Sequence, residues 1–409
     1  MKHIRVPADE RVPCAASLSF DAAQAMLAAI ARPLGTESVR LAKAGRRVLA
    51  EPLGATLDIP SRDLAAMDGF AVREHDLAAG VRSFTVTGAA YPGAPWTGNV
   101  GAGDAIRIMT GAPMPAGADR VLMRELVTDR DGTITRGGPV PAKPHVRKRG
   151  SDTPAGTEVL PAGKLLDPRA LVVAAAADAA RLTVWRRPSV RVIATGDELV
   201  SAGSARETGG IPDSLSEAVL LMARQWGAAP LGATLVRDDP EQLAHAAGAA
   251  LDDADVLVLC GGASRGDRDF AKSALTGLGL ELLFADVAIK PGKPVWCGRI
   301  GQKLVLGLPG NPTAAMTVAR LFLAPLLTAL GGRGVGPALR WERARLLESV
   351  TTGDREAFLC AERMEEGVRV LPRQSASAQC MLARADALVR IAPGLTPLAI
   401  GVSVELLRF

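Results

Sequence analysis

Between Pro188 and about Gly331 the chain alternates apolar runs of strand length with segments of helical period. That alternation is the strongest constraint on what it can fold into. Val190–Ala194, Asp255–Cys260 and Lys303–Leu308 read as buried strands, with another near Thr234. Ser214–Trp226, Pro240–Leu251 and about Thr313–Leu330 read as helices. A run such as Val256-Leu257-Val258-Leu259 leaves no face for water, so it predicts a doubly wound, parallel sheet with helices on both sides.

In open α/β sheets, ligands bind beyond the carboxyl ends of the strands, where helix N-termini and free amides collect. Three strand exits are glycine-rich here: Thr195-Gly196-Asp197-Glu198-Leu199, Gly261-Gly262 running on to Asp269, and Leu308-Pro309-Gly310-Asn311-Pro312. Gly261 and Gly262 remove side chains, so an anion can approach the main chain, and Ser264 adds a hydroxyl before a helix expected near Asp269. Gly310-Asn311-Pro312 repeats the device, with proline suited to the first helical turn. Each loop alone reads equally as a tight turn; their convergence on one sheet points to a phosphate cradle. Asp197, Glu198, Asp267 and Asp269 would repel a bare phosphate, a conflict that Mg²⁺ resolves because carboxylates and phosphate oxygens are its usual ligands. The same acids also read as charges set against helix N-termini. Lys290 and Lys293 flank a Pro-Gly turn, and two ammonium groups held together favour an anion between them. A solvated basic turn is the alternative. The pattern therefore describes a site for a phosphate, a metal and a second oxyanion.

The remaining sequence separates into further domains. Ser19 caps an alanine-rich helix over Asp21–Ala31, and Asp167-Pro168 starts another reaching Ala177. Residues 1–57 with 146–185 are expected to form a discontinuous platform. Short strands with glycine turns (Ser83–Thr87, Asp104–Met109, Arg120–Met123) make 58–145 a β-rich insertion, 186–334 is the α/β domain, and 335–409 a small C-terminal β-barrel. Aromatic residues are 3% of the 409, with one tyrosine, and net charge is +5. Stacking platforms for single-stranded nucleic acid are thus scarce, and the basic balance fits a small anionic ligand. Five scattered cysteines (Cys14, Cys260, Cys297, Cys360, Cys380) form no C-x-x-C pair, which suits a reducing compartment. The apolar stretch at Ala170–Ala177, read as the longest, is too short to span a membrane, and the N-terminus does not read as a signal peptide, so a cytoplasmic protein is expected. His3, His75, His145 and His245 lack metal-ligand spacing, and the run His145–Arg149 reads as a solvated basic segment that could border an anionic site.

Several motifs in order resemble one family: Ala66-Met67-Asp68-Gly69-Phe70-Ala71, Ile108–Asp119 with Thr110-Gly111-Ala112-Pro113, Arg149-Gly150-Ser151-Asp152, and the three exits with Lys290–Pro294. The chain resembles the molybdopterin molybdenumtransferases, and is similar to the E domain of gephyrin, over nearly its whole length. The resemblance implies a four-domain homodimer whose α/β domain binds molybdopterin. It implies that adenylylated molybdopterin and molybdate give molybdenum cofactor and AMP with Mg²⁺. Asp68 and Thr110 would reach the site across the dimer interface, and Lys290, Lys293, Arg355 and Ser377 match positions near molybdate. Asp197, Glu198 and Asp269 match acids that hold the metal or assist cleavage. The family's pattern is broken at Ala65, Asp178, Leu215, Arg265, Ala314 and Asp386, which marks a divergent member. A non-catalytic cofactor carrier or gephyrin-like scaffold is the competing expectation, and use of tungstate a third.

Overall fold

The computed structural model describes residues 18–262, 270–394 and 396–409. They form two compact units: Ser38–Val184, and the chain up to Glu37 together with Trp185–Phe409.

Helix α1 (Phe20–Ile30) begins at Ser19, whose hydroxyl accepts the Ala22 amide at 3.2 Å. The sequence groups it with residues 146–185, but the structure puts it in the α/β unit. Phe20, Ala23 and Leu27 are buried, and the Phe20 ring lies 4.8 Å from that of Phe358 and edge-on to Phe322 at 5.8 Å. A short helix with one apolar stripe has no local preference for a partner; its placement follows the apolar surface offered to it. Arg390 ties the same helix down, donating to both carboxylate oxygens of Asp21 at 2.9 Å.

In the unit Ser38–Val184, a core of Leu49, Leu160, Leu166, Ala170, Leu182 and Val184 joins its two ends. Six strands form its sheet: β1 (Gly69–Val72), β2 (Ser83–Ala90), β3 (Asp104–Ile108), β4 (Arg120–Met123), β5 (Val127–Arg130) and β6 (Thr133–Arg136). Their order is β4-β1-β3-β2-β6-β5, antiparallel except for β2 against β3. Strand alternation sends Ala71, Ile106, Ile108 and Val121 to one face and Phe70, Ala105, Leu122 and Ile134 to the other. Helix α2 (Pro168–Ala176) follows, capped by Asp167, which accepts the Ala170 amide at 2.8 Å.

The other unit contains β7 (Ser189–Thr195), β8 (Ala229–Val236), β9 (Val256–Cys260), β10 (Glu281–Ala285), β11 (Ile289–Lys290), β12 (Trp296–Ile300) and β13 (Lys303–Leu308). The main sheet runs β8-β7-β9-β13-β12-β10. Four neighbours are parallel, as the buried runs predict, but β12 is antiparallel to both β13 and β10. The expectation of an all-parallel sheet is corrected at this edge. Ile300 pairs with Lys303 across Gly301-Gln302, and a two-residue turn can join only antiparallel strands. Helices α3 (Ser216–Gln225), α4 (Pro240–Asp253), α5 (Ala271–Thr276) and α6 (Pro312–Leu330) cover the sheet. Val190, Val256, Val258, Leu304 and Leu306 meet α3 and α6 on one face; Ile193, Leu257, Leu259 and Val305 meet α4 and α5 on the other. Each such side chain, fully buried, contributes about 1.5–3 kcal/mol.

Helix α6 is long and apolar enough to cross a membrane by length and composition, which corrects the choice of Ala170–Ala177 as the longest apolar stretch. Nearly all of it is buried in the protein. It carries Arg320, which donates to the carbonyls of Arg408 (2.6 Å) and Ala338 (2.8 Å) and lies 4.6 Å from the Trp226 ring. Burial lowers this guanidinium to about 10. A last sheet combines β11 with β14 (Glu342–Arg345), β15 (Glu356–Met364), β16 (Gly367–Val370), β17 (Ala387–Ile391) and β18 (Ser403–Arg408) in the order β11-β15-β17-β18-β14, with β16 on β15. A bridge from Leu346 to Val368 links the end of that path to β16.

Candidate functional site

Register aligns the strand exits. Ala194 pairs with Cys260 and Cys260 with Leu308, so β7, β9 and β13 end side by side. Beyond them opens a cleft of about 500 Å³ lined by Thr195, Gly196, Glu198, Gly261, Gly262, Gly310 and Asn311. At Gly261 the geometry demands glycine. Gly261 has φ +96°, and a Cβ there would stand 2.7 Å from the Thr195 carbonyl oxygen. At Gly196 a Cβ would come within 3.1 Å of the Glu198 carboxyl, which folds back over it.

The polar groups of this cleft are poorly satisfied from within. Among the described residues, the amides of Gly262, Gly310 and Asn311 have no hydrogen-bond partner. The buried Thr195 hydroxyl has none either. Gly310 and Asn311 are exposed and Gly262 half-buried, so it is the convergence of these open amides with the one buried, orphaned hydroxyl that marks a place for an acceptor-rich ligand. Opposed to them in charge, Glu198, Asp213 and Asp238 also line the cleft. Among the described residues no three His, Cys, Asp or Glu side chains form a cluster able to hold a metal by themselves. One or two carboxylates completed by phosphate oxygens is, however, the set Mg²⁺ takes. Cys260 lines the cleft as well, but burial, with the charge of Asp213, pushes its thiol up to about 12, so it is protonated and not a nucleophile.

The other expected site residues divide into groups. Ser264, Asp267 and Asp269, and Arg265 beside them, lie outside the described residues. Asp197 does not line the cleft; its carboxylate accepts the Asp238 amide at 3.2 Å. Lys290 and Arg355 line a second recess of about 360 Å³ with Glu348, Asp354 and Gln374, because β11 pairs with the start of β15 (Lys290 with Ala357). Lys293 lines neither space, although Gly292 between the lysines packs so closely that a Cβ would meet Val318 of α6 at 2.3 Å. Ser377 lines the strand-exit cleft. Asp68 and Thr110 belong to the unit Ser38–Val184 and hold each other: Asp68 accepts the Thr110 amide at 2.8 Å and its hydroxyl at 2.7 Å. The Thr110 amide, then its hydroxyl, with Arg124 nearby, keep the Asp68 carboxyl below its usual range.

Two departures from the family pattern have a structural account. Leu215 is buried in the core, and its amide donates to Asp213 at 3.0 Å, so the turn into α3 survives without an asparagine side chain. Ala314 is buried in α6; neighbouring Thr313 is buried too, its amide donating to Ala376 at 2.9 Å. Gln379, Asp238 and Ser214 line the cleft without having been singled out in the sequence as ligand-binding residues. Ser214 follows the recognisable Asp213 cap, whereas an isolated glutamine carries no local signal.

A glycine-lined cleft at the strand exits of an α/β domain, in a chain that also holds β-rich domains, defines a multidomain α/β enzyme of molybdenum cofactor biosynthesis when set beside known proteins. Residues 18–177 match the family described as MoeA N-terminal region (domain I and II), and 191–329 that described as probable molybdopterin binding domain. The chain is 36% identical over 407 residues to the molybdopterin molybdenumtransferase of Synechococcus elongatus, covering 95% of this chain and 98% of that protein. With the Haemophilus influenzae protein of the same name identity is 35% over 318 residues, covering 77% and 78%. The crystal structure of the molybdopterin biosynthesis MoeA protein from Pyrococcus horikosii superposes with a TM-score of 0.80 at 30% identity, over 96% of this chain and 99% of that one. The chain belongs to the molybdopterin molybdenumtransferase family.

Proposed function

We propose that this protein inserts molybdate into adenylylated molybdopterin with Mg²⁺-dependent release of AMP, acting in the cytoplasm as a homodimer. The observation that carries this reading is the strand-exit cleft, whose unpaired amides and orphaned Thr195 hydroxyl all lie in the segment matched to a probable molybdopterin binding domain. In this reading the amides at Gly262, Gly310 and Asn311, with Ser264, hold the phosphate. Glu198, with Asp267 and Asp269, holds Mg²⁺, which supplies charge neutralisation to the phosphoanhydride. Lys290, Lys293, Arg355 and Ser377 position molybdate, a substrate. Cleaving a phosphoanhydride needs charge neutralisation and positioning rather than covalent catalysis, and these residue types supply both.

The homodimer part of the reading draws support from the Asp68–Thr110 clamp. Met67 and Met109, next to the two residues in sequence, are 42% and 39% exposed. Apolar side chains around an ionised, oriented carboxylate suit a surface completed by a second subunit. The pair would then meet the ligand held by the partner's cleft.

The test is AMP release by purified protein, with adenylylated molybdopterin, molybdate and Mg²⁺ each omitted in turn and tungstate run in parallel. AMP is expected only from the complete mixture, and Lys293→Ala is expected to lower turnover at least tenfold while leaving the dimer intact. Retention of finished cofactor through purification with no AMP release would instead favour a carrier, a reading that the apolar Leu215 and Ala314 motivate.

A further inference from the structure

The cleft has a wall outside the segment matched to the binding domain. The turn after β16 reaches it: the Thr313 amide at the head of α6 donates to the Ala376 carbonyl at 2.9 Å, docking residues 375–379 against the strand exits. The turn is fixed internally. The hydroxyls of Ser375 and Ser377 share a 3.1 Å hydrogen bond, the Ala378 amide donates to Ser375 and the Gln379 amide to Ser377, both at 2.9 Å. All these bonds use backbone or serine groups. The Gln379 carboxamide is left without a partner among the described residues, and Gln379 lines the cleft.

The hydroxyls of Thr195, Ser214 and Ser377 also line the cleft, each donating and accepting through a single atom, and the remaining polar groups there are of one kind only. Glu198, Asp213 and Asp238 only accept, and the amides of Gly262, Gly310 and Asn311 only donate. The side chain of Asn311 is a second carboxamide, but it sits among those donors at the phosphate end. The side chain of Leu215, just before α3, offers no hydrogen bond. Gln379 thus brings a donor atom and an acceptor atom side by side, on a preset turn, from an element separate from the phosphate cradle. A phosphate or molybdate has no use for the accepting half. A fused pyrimidinone ring does, since its edge alternates amino, ring N–H and carbonyl groups.

We propose that Gln379 is a specificity-determining residue that reads the donor–acceptor edge of the pterin ring. The inference rests on the proposed function, because it takes the cleft as the molybdopterin site. Adenine has an edge of related chemistry, so the experiment uses two probes. Gln379→Leu removes both hydrogen-bonding halves, and Gln379→Met does so while keeping the length of the side chain and its neutral charge. Binding of purified molybdopterin and of AMP is measured separately by isothermal titration calorimetry on the full chain, with thermal unfolding as a control. Expected is a rise of about tenfold in the molybdopterin Kd for Gln379→Leu, the size of one lost hydrogen bond pair, with AMP binding unchanged. In the AMP-release assay, KM rises and kcat holds. If Gln379→Leu unfolds, the uncharged Gln379→Met decides by the same criterion. Wild-type affinity for molybdopterin in a folded variant, or an equal loss of AMP affinity, overturns the inference while the proposed function stands. Failure of the wild-type protein to bind molybdopterin removes both.

Discussion

Gly261 combines two demands that only a glycine can meet. Its φ of +96° lies where side-chain-bearing residues are strained, and the space for a Cβ is already taken by the Thr195 carbonyl at 2.7 Å. Gly262 is less constrained, at φ +59° with the nearest atom, the Ala271 Cβ, at 3.2 Å. Gly261→Ala is therefore expected to cost about 2–3 kcal/mol, and Gly262→Ala clearly less. Urea denaturation of both variants tests the order; equal losses would contradict the geometry. The clustering of glycines, acids and lysines at these exits is legible in the sequence because backbone approach to an anion demands glycine. Which of those residues face one cleft is not. Asp197 and Glu198 are neighbours, yet Glu198 lines the cleft while Asp197 receives the Asp238 amide.

Elements are held in register at the opposite end of the sheet by Asp255. Its carboxylate accepts both guanidinium amines of Arg186 (2.8 and 2.9 Å), and the amide (2.8 Å) and hydroxyl (2.7 Å) of Ser189, while its carbonyl accepts the Leu304 amide at 3.0 Å. One residue thereby joins the starts of β7, β9 and β13. Burial pushes its carboxyl up, but the bonds from Arg186 and Ser189 together outweigh burial and leave it below 3.8. A carboxyl depressed in the folded state adds stability above its unfolded value, and that stability is lost as pH falls through the folded value. Asp255→Asn should lose about 2 kcal/mol at neutral pH, and its stability should fall less steeply than the parent's between about pH 5 and pH 3. Urea denaturation across that range checks both; parallel pH curves would exclude the assignment. The edge pair β10 and β12 shows where element reading fails. Each is five residues long, and nothing local separates Trp296–Ile300 from a loop until Trp296 fills the space above Gly307, where a Cβ would collide with the indole.

At the scale of the whole molecule, the unit Ser38–Val184 is continuous in sequence and has its own cores. Its ends meet: Arg181 donates to the Ser38 hydroxyl at 3.0 Å and carbonyl at 2.8 Å, and the Leu41 amide donates to Ala180 at 3.1 Å. Closed ends and an independent core are the properties of a segment that folds alone. Residues 38–184 expressed by themselves are expected to give a single cooperative thermal transition by circular dichroism and no AMP release. A fragment with no cooperative transition would show that the unit depends on the rest of the chain.

The sequence by itself determined the α/β class, the strand exits and the family, because buried parallel strands need unbroken apolar runs and anion-binding turns need glycine at set places. Those are local demands, and local patterns carry them. Tertiary structure alone decided that α1 packs on Phe322 and Phe358, that β12 turns back against β13, that Lys290 shares a recess with Arg355, and that Gln379 comes to the cleft. Each is a contact between segments distant in the chain. Such contacts depend on which surfaces remain to be buried once the elements have formed, and no window of neighbouring residues records that.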